Sequence, residues 1–295
     1  MHGMTQDFRT HLKTGLTTLC RCWAIKRRDG KLYGFTDHDR SLEFDGIVFK
    51  AESGLSATAL QQGTGLSVDN TEAIGALCDA AIRDADIEAG RFDDADVQAW
   101  LVNWADPDVR WLQFRGTIGE IRRADGAFHA ELRGLTAALN QPLGRIYQKP
   151  CTAVLGDARC GFDVETPGYS TVLSLAGQEE NRIFRWASID GFEPGLFIRG
   201  VLKVQSGDAA GLWGLIKHDR QVDRKRVIEL WEPIRGEIQP GDTVRLEAGC
   251  DKRMETCALK FGNILNFSGF PDLPEEDWVV AVPKTSQANP GGSRR

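Results

Sequence analysis

CRCWAIKRRDGKLYGF, residues 20–35, reads as two β-strands folded back on each other, and this reading decides the fold. Its centre is Asp29-Gly30, a pair suited to a type I′ turn between antiparallel strands. The same device recurs around Asp45-Gly46 in SLEFDGIVFKA (41–51) and around Asp125-Gly126 in IGEIRRADGAFHAEL (118–132). Three such hairpins in residues 1–148 predict a mainly β (β-rich α+β) chain with an N-terminal domain of antiparallel hairpins.

Around these hairpins, residues 5–18 read as a short amphipathic helix leading into a strand at Leu19. Val97, Ala99 and Leu101 alternate with Gln98 and Trp100, which predicts a strand, and Trp111–Thr117 predicts another. Leu77–Ala89 reads as one helix, or as a strand followed by a helical turn. Leu135–Asn140 reads as a short helix that Gln141-Pro142 stops. Beyond it, residues 149–283 form a second predicted domain. Its middle, about 166–249, carries TVLSL, RIFRWASI, LFIRGVLKV, GLWGLIK, RVIELW and TVRLEA between Gly- and Pro-rich turns. Short, regularly spaced strands of this kind predict a small β-barrel-like module. The tail 284–295, KTSQANPGGSRR, has the composition of a disordered segment.

Composition narrows the functions. The net charge is -6 and the basic residues are dispersed, so there is no footprint for sequence-specific nucleic-acid binding. No apolar run reaches the ~20 residues of a membrane helix, so membrane insertion is not expected. The first 15 residues lack the apolar core of a signal peptide, which predicts synthesis in the cytoplasm. Thiols stay reduced there, so the seven cysteines read as metal ligands or core residues before disulfides.

Four cysteines bracket the predicted module. Cys151 and Cys160 lie in KPCTAVLGDARCGFD (149–163), Cys250 and Cys257 in GCDKRMETCALKFGN (249–263). Folding the strands between them would bring the pairs together. Spacing alone leaves metal binding and simple burial both open, since neither pair has the tight C-x2-4-C knuckle of zinc fingers. If a helix runs on from Cys250, the Cα atoms of Cys250 and Cys257 stand about 10 Å apart on one face. A single zinc with bonds of ~2.3 Å draws its sulfurs closer than that. A [4Fe–4S] cluster, whose iron corners are spread, is the easier fit, with zinc as the alternative. Either centre would supply ~10–16 kcal/mol of apparent binding free energy, as much as a whole domain's stability.

The remaining candidates are weaker. Cys20 and Cys22 share a strand face with Ala24 and read as core, and Cys78 sits alone in an apolar run. His38 and His218 each lie in a His-Asp-Arg triplet at predicted strand ends, where Asp and Arg make turns and exposed ion pairs. No hydrolase, P-loop or dinucleotide fingerprint accompanies them. The acidic run RDADIEAGRFDDAD (83–96) lacks EF-hand spacing and reads as a solvated face. Trp100, Trp104 and Trp111 cluster near one strand pair. Phe267, Phe270 and Trp278 mark an extended arm suited to packing over the metal centre or reaching a neighbouring subunit.

Taken together, GFTDHDRSLEFDG (34–46), FRGTIGEI (114–121), LNQPLGRIYQKPCTAVLGDARCGFD (139–163) and CDKRMETCALKFGNILNFSGFPDLP (250–274) resemble a phage tail-tip family that includes the hub proteins of gene transfer agents. The resemblance implies a structural hub, not an enzyme, assembled into the tail tip of a phage-like particle. It implies a homotrimeric three-fold ring below the distal tail protein ring. That ring would join a large central, fibre-bearing tail-tip protein and contact a tail-associated peptidase. It also implies a [4Fe–4S] cluster held by Cys151, Cys160, Cys250 and Cys257. The alternatives are a redox metalloenzyme built on the same four cysteines and a zinc-binding structural adaptor.

Overall fold

The structure, a computed structural model, describes residues 4–51, 55–57, 70–75, 83–124, 127–135, 139, 144 and 146–273. The chain divides into two compact units, Met1–Leu143 and Gly144–Arg295. Among the described residues no helix is long and apolar enough to cross a membrane. The 125–126 turn, Cys78, Trp278 and the 284–295 tail lie outside the described residues, as does most of the helix expected at Leu135–Asn140.

The first unit opens with helix α1 (Gln6–Lys13), capped by Thr5 and anchored by buried Phe8. Its strands are β1 (Leu19–Lys26), β2 (Leu32–Thr36), β3 (Leu42–Phe44), β4 (Ile47–Phe49), β5 (Leu55–Ala57), β6 (Asn70–Gly75), β7 (Asp96–Asn103), β8 (Arg110–Ala124) and β9 (Ala127–Gly134), with helix α2 (Asp84–Glu88) before β7. Seven of them form one antiparallel sheet in the order β2-β1-β7-β8-β9-β6-β5, while β3 and β4 pair apart. Strands β1 and β7 are buried on both faces. Trp23, Ile25, Val97 and Ala99 enter one core with Phe92 and Phe114. Cys20, Cys22, Ala24, Trp100 and Val102 enter a second, closed by Phe44 and Phe49 of the β3–β4 hairpin. Those two phenyl rings stand edge-on to Trp100 at 5.6 and 5.7 Å. Cys20 and Cys22 are core residues, as expected.

The hairpins form where the sequence places them, with one change of turn. At Asp45-Gly46 both residues have positive φ (53° and 72°) and Phe44 pairs with Ile47, so this is the two-residue type I′ turn. The β1–β2 loop is longer. Arg27 N–H bonds Lys31 O and Gly30 N–H bonds Arg27 O, with only Gly30 of the loop in the left-handed region. That is a turn closed by a glycine bulge. The cause is Arg27, whose fully buried guanidinium bonds both Asp29 in its own loop and Asp86 in α2. Asp86 also meets Arg91 at 3.2 Å. The acidic run is therefore not all solvated face: Asp86 is buried between two arginines, while Asp93, Asp94 and Asp96 are exposed.

The second unit contains β10 (Ser170–Ser174), β11 (Gly177–Glu179), β12 (Ile183–Trp186), β13 (Val201–Val204), β14 (Trp213–Val222), β15 (Lys225–Leu230) and β16 (Thr243–Glu247), then helix α3 (Met254–Leu259) and a 3-10 turn, Ile264–Asn266. All six apolar runs become strands; only three-residue β11 had no such run. The antiparallel order is β10-β16-β13-β14-β15-β12-β11. Its end strands are joined by just Leu175-Ala176, so the sheet curls strongly, but no ladder closes it. The barrel-like module is thus an open, curled sheet around one core of Phe184, Leu202, Ile216, Ile228, Leu230 and Val244. A bulge between Ile216 and His218 bends β14, which pairs with β13 before it and with β15 after it.

Inside this core lies one ion pair. Asp219 accepts the N–H groups of Gly195 and Phe197, each at 3.0 Å, and is bonded by Arg226 Nε and Nη2. Arg226 also donates to Phe192 O (2.8 Å) and Glu193 O (2.6 Å). Every strong polar group is matched, as burial requires. The His218 triplet is therefore within β14, not at a strand end. Its aspartate pins the 192–197 loop instead of making an exposed ion pair.

Candidate metal centre

Cys151, Cys160 and Cys250 sit in loops beside the curled sheet and Cys257 in α3, in segments with few buried side chains of their own. The first loop is shaped by Asp157, whose carboxylate accepts N–H groups from Cys160 (2.6 Å), Val154 (2.8 Å) and Arg159 (3.0 Å). The bonds from Cys160 and Val154 hold its carboxyl below the usual range. The second loop starts where β16 ends. An added Cβ at Gly249 would stand 1.7 Å from Ile198 O, so only glycine lets the chain pass this close before Cys250. Lys260 Nζ donates to Leu196 O and Gly249 O, each at 2.8 Å, and its burial lowers its pKa.

Cys250 does not continue into a helix. Residues 251–253 are irregular, Lys252 has φ 68°, and Asp251 accepts the Arg253 N–H at 3.0 Å before α3 begins at Met254. The helical separation expected between Cys250 and Cys257 therefore does not apply, because this turn folds Cys250 back. The two loops are stitched directly. Cys151 N–H bonds Lys252 O at 2.9 Å, and Thr152 Oγ1 bonds Ser268 O at 3.2 Å. Beneath them Phe162, Tyr169 and Phe261 pack ring to ring at 4.8 to 5.6 Å, and Tyr169 donates to Lys260 O at 2.6 Å.

Cys151, Cys160, Cys250 and Cys257 all line one small pocket that opens to solvent. Lys252, Arg253, Phe261 and Asn263 line it too. None of the four is in a disulfide. Among the described residues no three His, Cys, Asp or Glu side chains are drawn together tightly enough for a single metal ion. Two sulfurs face N–H donors: Ser268 N lies 3.4 Å from Cys151 Sγ, and Asn263 Nδ2 lies 3.6 Å from Cys160 Sγ. Burial pushes the Cys257 thiol up, and charge on Cys250, Cys151 and Cys160 would push it further. This donor set suits a soft, sulfur-ligated inorganic group.

The other candidates part company with this site. His38 accepts the Arg40 N–H at 3.0 Å and meets the Trp104 ring at a tilt, 5.1 Å between centroids, a turn role. Phe267 of the expected arm lines the cysteine pocket, and Phe270 packs at a tilt on Tyr147, 4.8 Å between centroids. Asn263, Asp157 and the aromatic trio were not singled out from the sequence. Asp157 alone had a signal, since Asp in a Gly-Asp loop commonly accepts the backbone N–H two residues on.

Residues 5–163, more than half of the chain, match the family described as "Baseplate hub protein, N-terminal attachment domain". The chain belongs to the baseplate hub protein family. Residues 195–277 of this hub protein match a second family, described as "Phage conserved hypothetical protein BR0599". Each matched region contains one of the two cysteine pairs. Among solved structures, the hub chain is similar to a chain of "Virion of native gene transfer agent (GTA) particle", at 54% identity and a TM-score of 0.92. The likeness covers 98% of this chain and 99% of that one. No curated protein matches the chain.

Proposed function

We propose that this hub protein is a structural component of the tail tip of a phage-like, gene-transfer-agent particle, and that Cys151, Cys160, Cys250 and Cys257 hold a [4Fe–4S] cluster in it. The observation that carries the structural role is the 54% identity over 98% of the chain to a virion component. The cluster reading is supported by four unpaired thiols ringing one pocket, two of them facing N–H donors. When bound, the group supplies a covalent junction between two loops that are 90 residues apart along the chain, from Cys160 to Cys250. The protein's own part is to orient the sulfurs, to shield them with Phe261 and Phe267, and to donate hydrogen bonds to them.

In the particle the chain would form a three-fold ring between the distal tail protein ring and the central tip protein, and contact a tail-associated peptidase. A closed ring uses a heterologous surface on every subunit. Apolar area for assembly contacts is present on the outer face of β14 and beside it. Trp213, Leu215 and Trp231 are 60%, 49% and 60% exposed, and Trp231 N–H bonds Leu215 O at 3.0 Å.

Anaerobic purification tests the centre. Iron and acid-labile sulfide in near-equal amounts, with a brown colour, are expected; stoichiometric zinc without sulfide would refute the cluster. Native mass measurement of hub released from particles tests the ring, where a mass other than three chains counts against it.

A further inference from the structure

Asn263 stands between the two cysteine pairs and touches a member of each. Its Nδ2 donates to Cys160 O at 2.7 Å and lies 3.6 Å from Cys160 Sγ. Its backbone N–H donates to Cys257 O at 3.0 Å, and its carbonyl accepts the Cys257 thiol at 3.3 Å. Asn266 Nδ2 donates to Asn263 Oδ1 at 2.7 Å, which fixes the amide with its N–H edge toward Cys160.

The backbone part of this is ordinary. Gly262, at φ 59°, ends α3 by bonding Ala258 O, and any residue at 263 would supply the next N–H. The side chain is different. It crosses from the second cysteine loop to the first, and it ends at a sulfur. We infer that Asn263 is a positioning residue for the cluster: it sets Cys160 against Cys257 and gives the Cys160 sulfur a hydrogen bond that raises the cluster's reduction potential. This rests on the cluster reading above. The physical reason is that an N–H dipole aimed at a ligand sulfur favours the reduced, more negative state. The corresponding donor to Cys151 is the Ser268 backbone, which side-chain substitutions leave in place.

The test uses the full chain, purified anaerobically. Asn263→Leu removes the donor at similar size; Asn263→Asp puts a carboxylate oxygen where the donor was. Outer-sphere partners of this kind are worth ~10–100-fold in metal affinity. Iron retention against a chelator should therefore fall by about that factor in both variants. In the loaded fraction, redox titration followed by electron paramagnetic resonance should show a midpoint more negative than wild type, with Asn263→Asp furthest. Asn266→Ala, which only frees the amide, should shift it less and in the same direction. A loaded Asn263→Leu protein with wild-type potential and retention overturns the inference and leaves the cluster standing. Should Asn263→Leu retain no iron, the Asn266→Ala midpoint decides, an unchanged value overturning the inference. Wild-type protein without iron and sulfide overturns the cluster reading, and this inference with it.

Discussion

The curled sheet of the second unit and the cysteine loops beside it are held in opposite ways. The sheet buries Phe184, Leu202, Ile216, Ile228, Leu230, Val244 and Leu246 completely. Each such side chain is worth ~1.5–3 kcal/mol. In the described parts of the loops, 146–169 and 249–273, the buried side chains are Ala153, Cys257 and Phe261. Fixing one residue's backbone costs ~1–2 kcal/mol, so three burials, only one of them large, cannot by themselves order two loops of this length. Hydrogen bonds such as those to Asp157 shape the loops locally. What joins one loop to the other is the ring contact of Phe162 and Tyr169 with Phe261 and a set of part-buried hydrogen bonds across the pocket. A region without a core needs a cross-link, and the four thiols stand where one would be made.

The largest effect should come from breaking that cross-link. Cys160→Ser removes one of four proposed ligands, against a centre worth ~10–16 kcal/mol of apparent binding free energy. Iron and sulfide should be lost together, and limited proteolysis should cut within 149–163 and 250–268. The sheet should keep its far-ultraviolet signature. Stripping the centre chemically from the wild-type protein should reproduce the same cleavage pattern. Equal resistance of wild-type and Cys160→Ser loops to protease would show that they order themselves.

Breaking the sheet should look different. Arg226→Met leaves Asp219 buried without its cation, a change that costs ~3–5 kcal/mol in comparable pairs. The lost stability should appear in urea unfolding whether or not the centre is loaded, and Asp219→Leu in the same chain should recover part of it. Ile228→Ala opens a cavity in the same core for ~2–5 kcal/mol. For both variants the expected readout is a lower unfolding midpoint with near-normal iron in the folded protein. Iron loss in proportion to destabilisation would mean that sheet and loops are one cooperative element.

The same contrast explains what the sequence disclosed. Strands announce themselves by alternation, and TVLSL, RIFRWASI and RVIELW fell where β10, β12 and β15 are. Asp-Gly pairs located the hairpins. They did not fix the turn at Asp29-Gly30, because a distant partner, Asp86, holds Arg27 and draws the loop open. Burial of Asp219 was equally hidden, since a buried ion pair and an exposed one have the same local spelling. At the centre, cysteine spacing left metal binding and simple burial both open, and the path of the chain between the cysteines was not readable. Lys252 in a left-handed conformation redirects Cys250, and nothing in CDKRMET marks that turn. Asn263 carried no signal of its own, because its side chain bonds a cysteine 103 residues earlier in the chain.

The smallest effect sharpens the contrast from the first unit. Gly46 has φ 72° in a two-residue turn, and nothing lies within 4 Å of a Cβ added there. Gly46→Ala therefore costs only the backbone penalty for a left-handed L-residue, ~1–2 kcal/mol. The turn matters because β3 and β4 bring Phe44 and Phe49 onto Trp100, closing a core that also holds Cys20 and Cys22. Loosening it should lower the urea midpoint of the first unit slightly and make those two thiols react faster with a thiol reagent. Iron content should not change, since the substitution alters none of the four cysteines proposed as ligands. Faster labelling of Cys20 and Cys22 without iron loss would separate thiols that serve as packing from thiols that serve as ligands. Unchanged labelling would show that the hairpin is not what shields them.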